Sequence, residues 1–143
     1  MSTYVPVALR RGVREHFKDC CAYCLSAERL TVVTFEIEHI TPQVAGGETH
    51  FENLCLACPS CNRHKATRQR AIDPETGQEV ALYHPQRGIW VEHFAWLENG
   101  AVLEGLTPEG RATIHALEMN RTQLVRVRRL WIKLGEHPPK LTP

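Results

Sequence analysis

Glu38-His39-Ile40-Thr41-Pro42-Gln43-Val44-Ala45-Gly46-Gly47 lies between two Cys-x-x-Cys knuckles, Cys21-Ala22-Tyr23-Cys24 and Cys58-Pro59-Ser60-Cys61. Two thiolates two residues apart leave one tight turn together, and two such turns complete a tetrahedral shell around zinc with Zn–S distances of about 2.3 Å. A shell closed by Cys21, Cys24, Cys58 and Cys61 leaves no position for water, so the zinc it implies is structural. In a chain this short such a staple supplies much of the folding free energy. Cys20 and Cys55 compete for the same places, because Cys55-Leu56-Ala57-Cys58 repeats the spacing. The assignment to Cys58 and Cys61 is preferred because Cys55 sits between Leu54 and Leu56, where a cysteine packs as a small hydrophobe.

Residues 30–40 are rich in β-branched side chains and alternate from Phe35 to His39, which predicts a strand ending at the histidine. Pro42 removes a backbone donor and Gly46-Gly47 admit positive φ, so an irregular loop follows. From Asn62 to Arg70 there is neither Gly nor Pro, and the segment reads as the opening of a helix. It carries Arg63, Lys65, Arg68 and Arg70 and no acidic residue.

This order of parts, with Asn53-Leu54 ahead of the second knuckle and Asn62-x-x-Lys65 behind it, resembles the zinc-knuckle subgroup of the HNH nucleases over roughly residues 20–66. The resemblance implies an α+β fold with a ββα-metal core. It also implies an acid–histidine pair at a strand end, an asparagine in the connecting loop and an Asn or His on the following helix. The expected activity is metal-dependent hydrolysis of DNA phosphodiester bonds, leaving 5′-phosphate and 3′-hydroxyl ends. By the same resemblance Asn53 holds the loop and positions the histidine, and some nucleases of this kind cut duplexes as homodimers. Glu38 stands where an aspartate is commoner in the family, and Asn62 where a histidine is commoner. His64, two residues on, is weighed as a substitute metal ligand against an ordinary exposed basic residue.

The residue types suit that chemistry. Phosphodiester hydrolysis needs water deprotonated near neutral pH, and an imidazole with a pKa of about 6.5 is suited to accept the proton. His39 is therefore the candidate base, with Asn53 and Asn62 completing the catalytic set. Negative charge on the leaving 3′-oxygen calls for Mg²⁺ or another divalent cation on hard oxygen ligands, for which Glu38 and the amide oxygen of Asn62 are the candidates. Arg63, Lys65 and Arg68 are candidates to grip flanking phosphates, which makes affinity salt-dependent. Strand alternation sends Glu38 and His39 to opposite faces, so one site uses both only where the strand breaks, and Pro42 offers such a break.

Outside this core the sequence is less specific. Arg10, Arg11, Arg14 and Lys18 among apolar residues are compatible with a short helix before the first knuckle. Asp73-Pro74-Glu75-Thr76-Gly77 punctuates the chain, dividing it into a nuclease module at 1–71 and an extension at 72–143. Alternation through Trp90, Phe94 and Trp96, followed by Asn99-Gly100, predicts a β-hairpin. Thr107-Pro108 predicts a capped helix to about Met119, and Asn120 with Gln123 a second cap. Leu124, Val127, Trp131 and Leu134 recur at helical spacing, with Arg121, Arg126, Arg128, Arg129 and Lys133 decorating that last helix.

With 143 residues, 43% hydrophobic, the chain suits one compact domain or a small module with an extension. No run of roughly 18 apolar residues occurs and Met1-Ser2-Thr3-Tyr4 opens no leader, so a soluble, cytoplasmic protein without membrane partners is expected. A net charge of +1 neither favours nor excludes nucleic acid, which responds to local positive density. The rival to a nuclease is a non-catalytic zinc ribbon that presents basic side chains to nucleic acid. Such a module has no need of the Glu38-His39 pair. A zinc deaminase or other zinc hydrolase is a weaker rival, because a catalytic zinc keeps an open coordination position, which a shell of four thiolates does not.

Overall fold

The segment Val7–His16 forms the first helix, α1, whose Val13 is fully buried. The computed structural model describes residues 4–140, so Met1-Ser2-Thr3, on which the expectation about a leader rests, lie outside the described residues. Past α1 come the first knuckle and a short 3₁₀ turn at Glu28–Leu30. Then β1, Glu36–His39, pairs antiparallel with β2, Leu54–Ala57, in the register Glu38 opposite Cys55 and His39 opposite Leu54. Cys58 then opens the helix α2, Pro59–Lys65. Its sulfur accepts from the Cys61 backbone N–H, and Pro59 occupies the first turn, where its missing donor costs nothing. Two strands and a helix in this order form a ββα core within an α+β fold.

The strand expected over residues 30–40 is shorter in the structure because β2 offers only four residues before Cys58 turns into α2. Upstream, side chains take over the backbone groups. The Glu28 carboxylate accepts from Phe35 N at 2.7 Å and from Arg14 at 2.8 Å. Arg14 thus belongs to the entrance of β1.

Beyond α2, Asp73-Pro74-Glu75-Thr76-Gly77 connects β3, Arg70–Ile72, to β4, Glu79–Ala81. The sequence boundary at residue 71 falls inside β3. Asp73 is fully buried and accepts from both Nε and Nη2 of Arg111, at 3.0 and 2.9 Å. The Arg111 guanidinium holds its carboxyl well below the usual carboxylate range.

Trp90–His93 is one helical turn, α3, where the sequence pattern suggested the start of a strand. Trp90 and Phe94 stack tilted with centroids 5.0 Å apart, and β6, Val102–Gly105, is only long enough to pair with β5, Phe94–Leu97. Thr107 caps α4, Pro108–Ala116, by accepting from Gly110 N at 3.0 Å. Asn120 does not cap the last helix, α5, Thr122–Lys133. Its amide instead brackets Leu103, accepting from the N–H and donating to the carbonyl, both at 2.8 Å.

One hydrophobic core runs through all of this, from Val13, Leu54 and Leu56 to Trp90, Phe94, Leu117, Leu124 and Trp131. Each fully buried Leu or Phe contributes about 1.5–3 kcal/mol. Trp90 Nε1 donates to Tyr23 O at 2.9 Å, and Gln86 Nε2 donates to Phe51 O and Leu54 O at 2.9 and 2.8 Å. The carboxy-terminal half is thereby seated on the first knuckle and on β2. Among the described residues no helix is long and apolar enough to cross a membrane.

Candidate active site and metal centre

The four knuckle cysteines meet. Cys21, Cys24, Cys58 and Cys61 are all buried, with their sulfur atoms within 4.8 Å of one another and Cys24 to Cys58 at 3.9 Å. A tetrahedral ion with bonds of about 2.3 Å separates its sulfurs by about 3.8 Å, so the cluster fits zinc with little movement. Hydrogen bonds from Cys21, then Cys58 and Cys61, pull the Cys24 thiol well below its ordinary pKa, while burial pushes the Cys21 thiol well above it. The two competing cysteines lie elsewhere. Cys20 pairs with Ala27 in an isolated bridge, and Cys55 faces Glu38 and Tyr23.

His39 ends β1 half-buried, its Nε2 2.9 Å from the Thr49 hydroxyl. Partial burial lowers its pKa, which keeps the ring neutral at neutral pH. The loop after it is held by Asn53. That side chain accepts from Thr41 N at 2.8 Å and donates to Thr41 O at 3.1 Å and to Glu48 O at 2.9 Å, while Asn53 O accepts from Ile40 N at 2.8 Å. Gly46 takes φ +91, and a Cβ on Gly47 would stand 1.8 Å from Thr41 O, so both glycines are required for the loop to close on Asn53.

Glu38 occupies the opposite face. Only 6% exposed, its carboxylate lies 3.0 Å from Lys65 Nζ through Oε1 and accepts from Cys55 Sγ at 3.3 Å through Oε2. Burial raises its pKa, against the pull of Lys65 and Cys55. Among the described residues Oε1 has no hydrogen bond of good geometry and faces the Lys65 ammonium. Glu36, exposed at the start of β1, accepts from Asn62 Nδ2 at 2.7 Å and thereby orients the amide of Asn62.

The basic residues of α2 divide. Arg63 is exposed. Lys65 differs from its expected place at phosphates, being 2% exposed, with Nζ donating to Ile40 O at 3.0 Å as well as facing Glu38. Helical spacing carries the signal, since Lys65 follows buried Cys61 by four residues. Arg68 donates to His64 O and, at 2.9 Å, to Ala116 O, bracing α2 against α4. His64 is half-buried, its Nε2 3.0 Å from Glu118 and its Nδ1 2.7 Å from Ser60 O. His50 pairs with Glu48 at 2.6 Å on the surface. Thr49, beside His39, and Glu36, beside Asn62, are partners of the candidate residues that sequence reasoning missed.

Residues 21–68 match the family model described as HNH endonuclease. No match was found among curated proteins or among solved structures.

Proposed function

From the HNH endonuclease domain carried at residues 21–68, we propose that this chain is a metal-dependent endonuclease hydrolysing DNA phosphodiester bonds, with His39 as general base. One observation carries the reading: His39 is a neutral, half-buried imidazole at a strand end, fixed through Nε2 by Thr49. With Nε2–H donating to the Thr49 hydroxyl, the ring's lone pair lies on Nδ1, and that atom takes the proton of the attacking water. Asn53 keeps the loop that bears Thr49 against the strand end. The protonated ring that results is close enough to solvent to discharge.

The donor chemistry suits a divalent cation on one condition. Oε1 of Glu38 faces the Lys65 ammonium, so a metal ion there replaces Lys65, with Asn62 adding its amide oxygen. Such a cation would supply charge neutralisation for the leaving 3′-oxygen only on a rearranged strand end, because β1 runs unbroken through Glu38 and His39 and sends them to opposite faces, against the expectation that Pro42 breaks the strand there. Arg63 and Arg68 are placed to meet flanking phosphates, whereas Lys65 acts inside, on Glu38.

The Glu38–Lys65 pair also favours a second reading, a zinc-stapled module that binds nucleic acid without cutting it. Supercoiled plasmid incubated with the protein in Mg²⁺ or Mn²⁺ separates the two. The nuclease cuts in metal and not in EDTA; a binding module retards the plasmid and leaves it intact in every condition.

A further inference from the structure

The turn from Tyr83 to Gly88 belongs to the extension, yet one of its side chains works on the loop that serves His39. Gln86 Nε2 donates to Phe51 O at 2.9 Å and to Leu54 O at 2.8 Å. A carbonyl can be met only by a donor, so the amide nitrogen of Gln86, not its oxygen, faces these two groups. Phe51 opens the 3₁₀ turn Phe51–Asn53 and Leu54 follows it, the Leu54 N–H closing the turn on Phe51 O. Gln86 therefore clamps both ends of the turn that carries Asn53.

The His39 end of β1 is fixed through that turn. Asn53 O accepts from Ile40 N, the Asn53 amide holds Thr41 and Glu48, and Leu54 stands opposite His39 in the register. With Ile40 N bonded to Asn53 O, the Leu54 carbonyl points away from β1, to the edge that Gln86 covers. Leu54 is fully buried, so its carbonyl needs that donor. The clamp is itself held. His84 Nδ1 accepts from Gln86 N at 3.2 Å and from Arg87 N at 3.1 Å, and Gly88 N donates to His84 O at 2.8 Å. Tyr83 N donates to the Thr113 hydroxyl of α4 at 2.9 Å, and a Cβ on Gly88 would stand 2.6 Å from the Tyr83 ring. A path of hydrogen bonds thus runs from α4 through Gln86 to the residues on either side of His39.

We propose that Gln86 is a positioning residue for His39, the point at which the extension at 72–143 sets the Asn53 loop, so that the base is aligned only when the extension is docked. The proposal rests on the nuclease reading for its effect on rate and on the hydrogen bonds alone for its geometry. Gln86 touches neither His39 nor DNA in this account; it acts through Asn53 and Leu54. A reacting group misplaced by about 1 Å loses about a hundredfold in rate, and binding of substrate need not change with it.

The test compares the full, zinc-loaded chain with Gln86→Met, which keeps the length and removes the donor, with Gln86→Lys, which restores a donor, and with the exposed Gln78→Met as control. All are compared at a temperature at which thermal melts show them folded. Single-turnover cleavage in Mg²⁺ should slow about ten- to hundredfold in Gln86→Met, while DNA affinity in EDTA stays within about twofold of the parent's. Gln86→Lys should recover most of the rate, and Gln78→Met should match the parent. Hydrogen exchange, which needs no cleavage, should quicken at Ile40 N and Thr41 N in Gln86→Met, since both donate to Asn53. A purely structural role would lower the melting temperature and leave the rate of the folded protein alone. Gln86→Met at the parent's rate, Gln86→Lys as slow as Gln86→Met, or unchanged exchange at Ile40 and Thr41 overturns the proposal. A parent that cuts no DNA overturns the nuclease reading instead, and exchange at Ile40 and Thr41 then decides alone whether Gln86 sets the Asn53 loop.

Discussion

Thr49 touches His39 through a single hydrogen bond of 2.9 Å at Nε2, and with the ring as donor in that bond the Nδ1 lone pair is free to act. Removing it in Thr49→Val sacrifices an interaction worth about 1 kcal/mol. Single-turnover cleavage should slow about fivefold, with DNA affinity unchanged. The adjacent residue has another role in the folded chain. Glu38 and Lys65 form a buried pair, and removing one partner of such a pair costs about 3–5 kcal/mol. Lys65→Met should therefore shift the urea midpoint markedly downward, and Mg²⁺ or Mn²⁺ should recover part of the loss by occupying the place beside Glu38. A divalent ion that stabilises the parent as much as this variant would contradict that placement. The sequence makes His39 and Glu38 visible as a pair because they sit between the knuckles. It hides Lys65, whose charge suggests phosphate and whose spacing from Cys61 suggests the interior. Thr49 leaves no trace beyond its position two residues after Gly47, since a lone threonine in a loop has no pattern.

The loop from Thr41 to Asn53 is the element that turns a strand end into a site. Its closure depends on Gly47, where a methyl group would collide with the Thr41 carbonyl. Gly47→Ala should open the loop, detach Asn53 from Thr41 and cost roughly 1–3 kcal/mol, as overpacking does elsewhere. Hydrogen exchange should rise at residues 41–49 while α5 stays protected. A loop as protected as the parent's would count against the account. Elements with their own local chemistry were readable: the Thr107 cap and Pro108 opened α4, and Asn99-Gly100 lies in the turn between β5 and β6. Others were decided by a partner out of sight. Trp90–His93 alternates like a strand, yet no residue of β6 reaches it, and two aromatic side chains four apart can share one side of a helical turn. Asn120 has the right composition for a cap and is committed to Leu103.

Across the whole molecule, the extension is part of the same core and carries its own pH sensitivity. His137 is 6% exposed, donates from Nε2 to Gly100 O at 3.1 Å, and lies against Trp96 and Trp131. Burial, with Arg128 nearby, pushes its pKa down to about 4. In the unfolded chain the same ring titrates near about 6.5, so between those values the unfolded state binds the extra proton. The contribution is complete above about pH 6.5 and is lost as pH falls toward 4. Chemical denaturation of the zinc-loaded protein at pH 7 and pH 5 should show the loss, and His137→Gln should flatten it; a pH slope unchanged by that substitution would contradict the assignment. The sequence counts Arg128 among the basic residues decorating α5, where arginines more often stay in water, and the structure buries it between Leu124 and Trp131 instead. The most direct measurement of the functional account is the single-turnover rate of DNA cleavage across pH for the parent and His39→Ala. The account predicts an acid limb with an apparent pKa below the ordinary histidine value in the parent, and cleavage lost by at least a hundredfold in the zinc-loaded, folded variant. A His39→Ala protein that cuts as fast as the parent would contradict it.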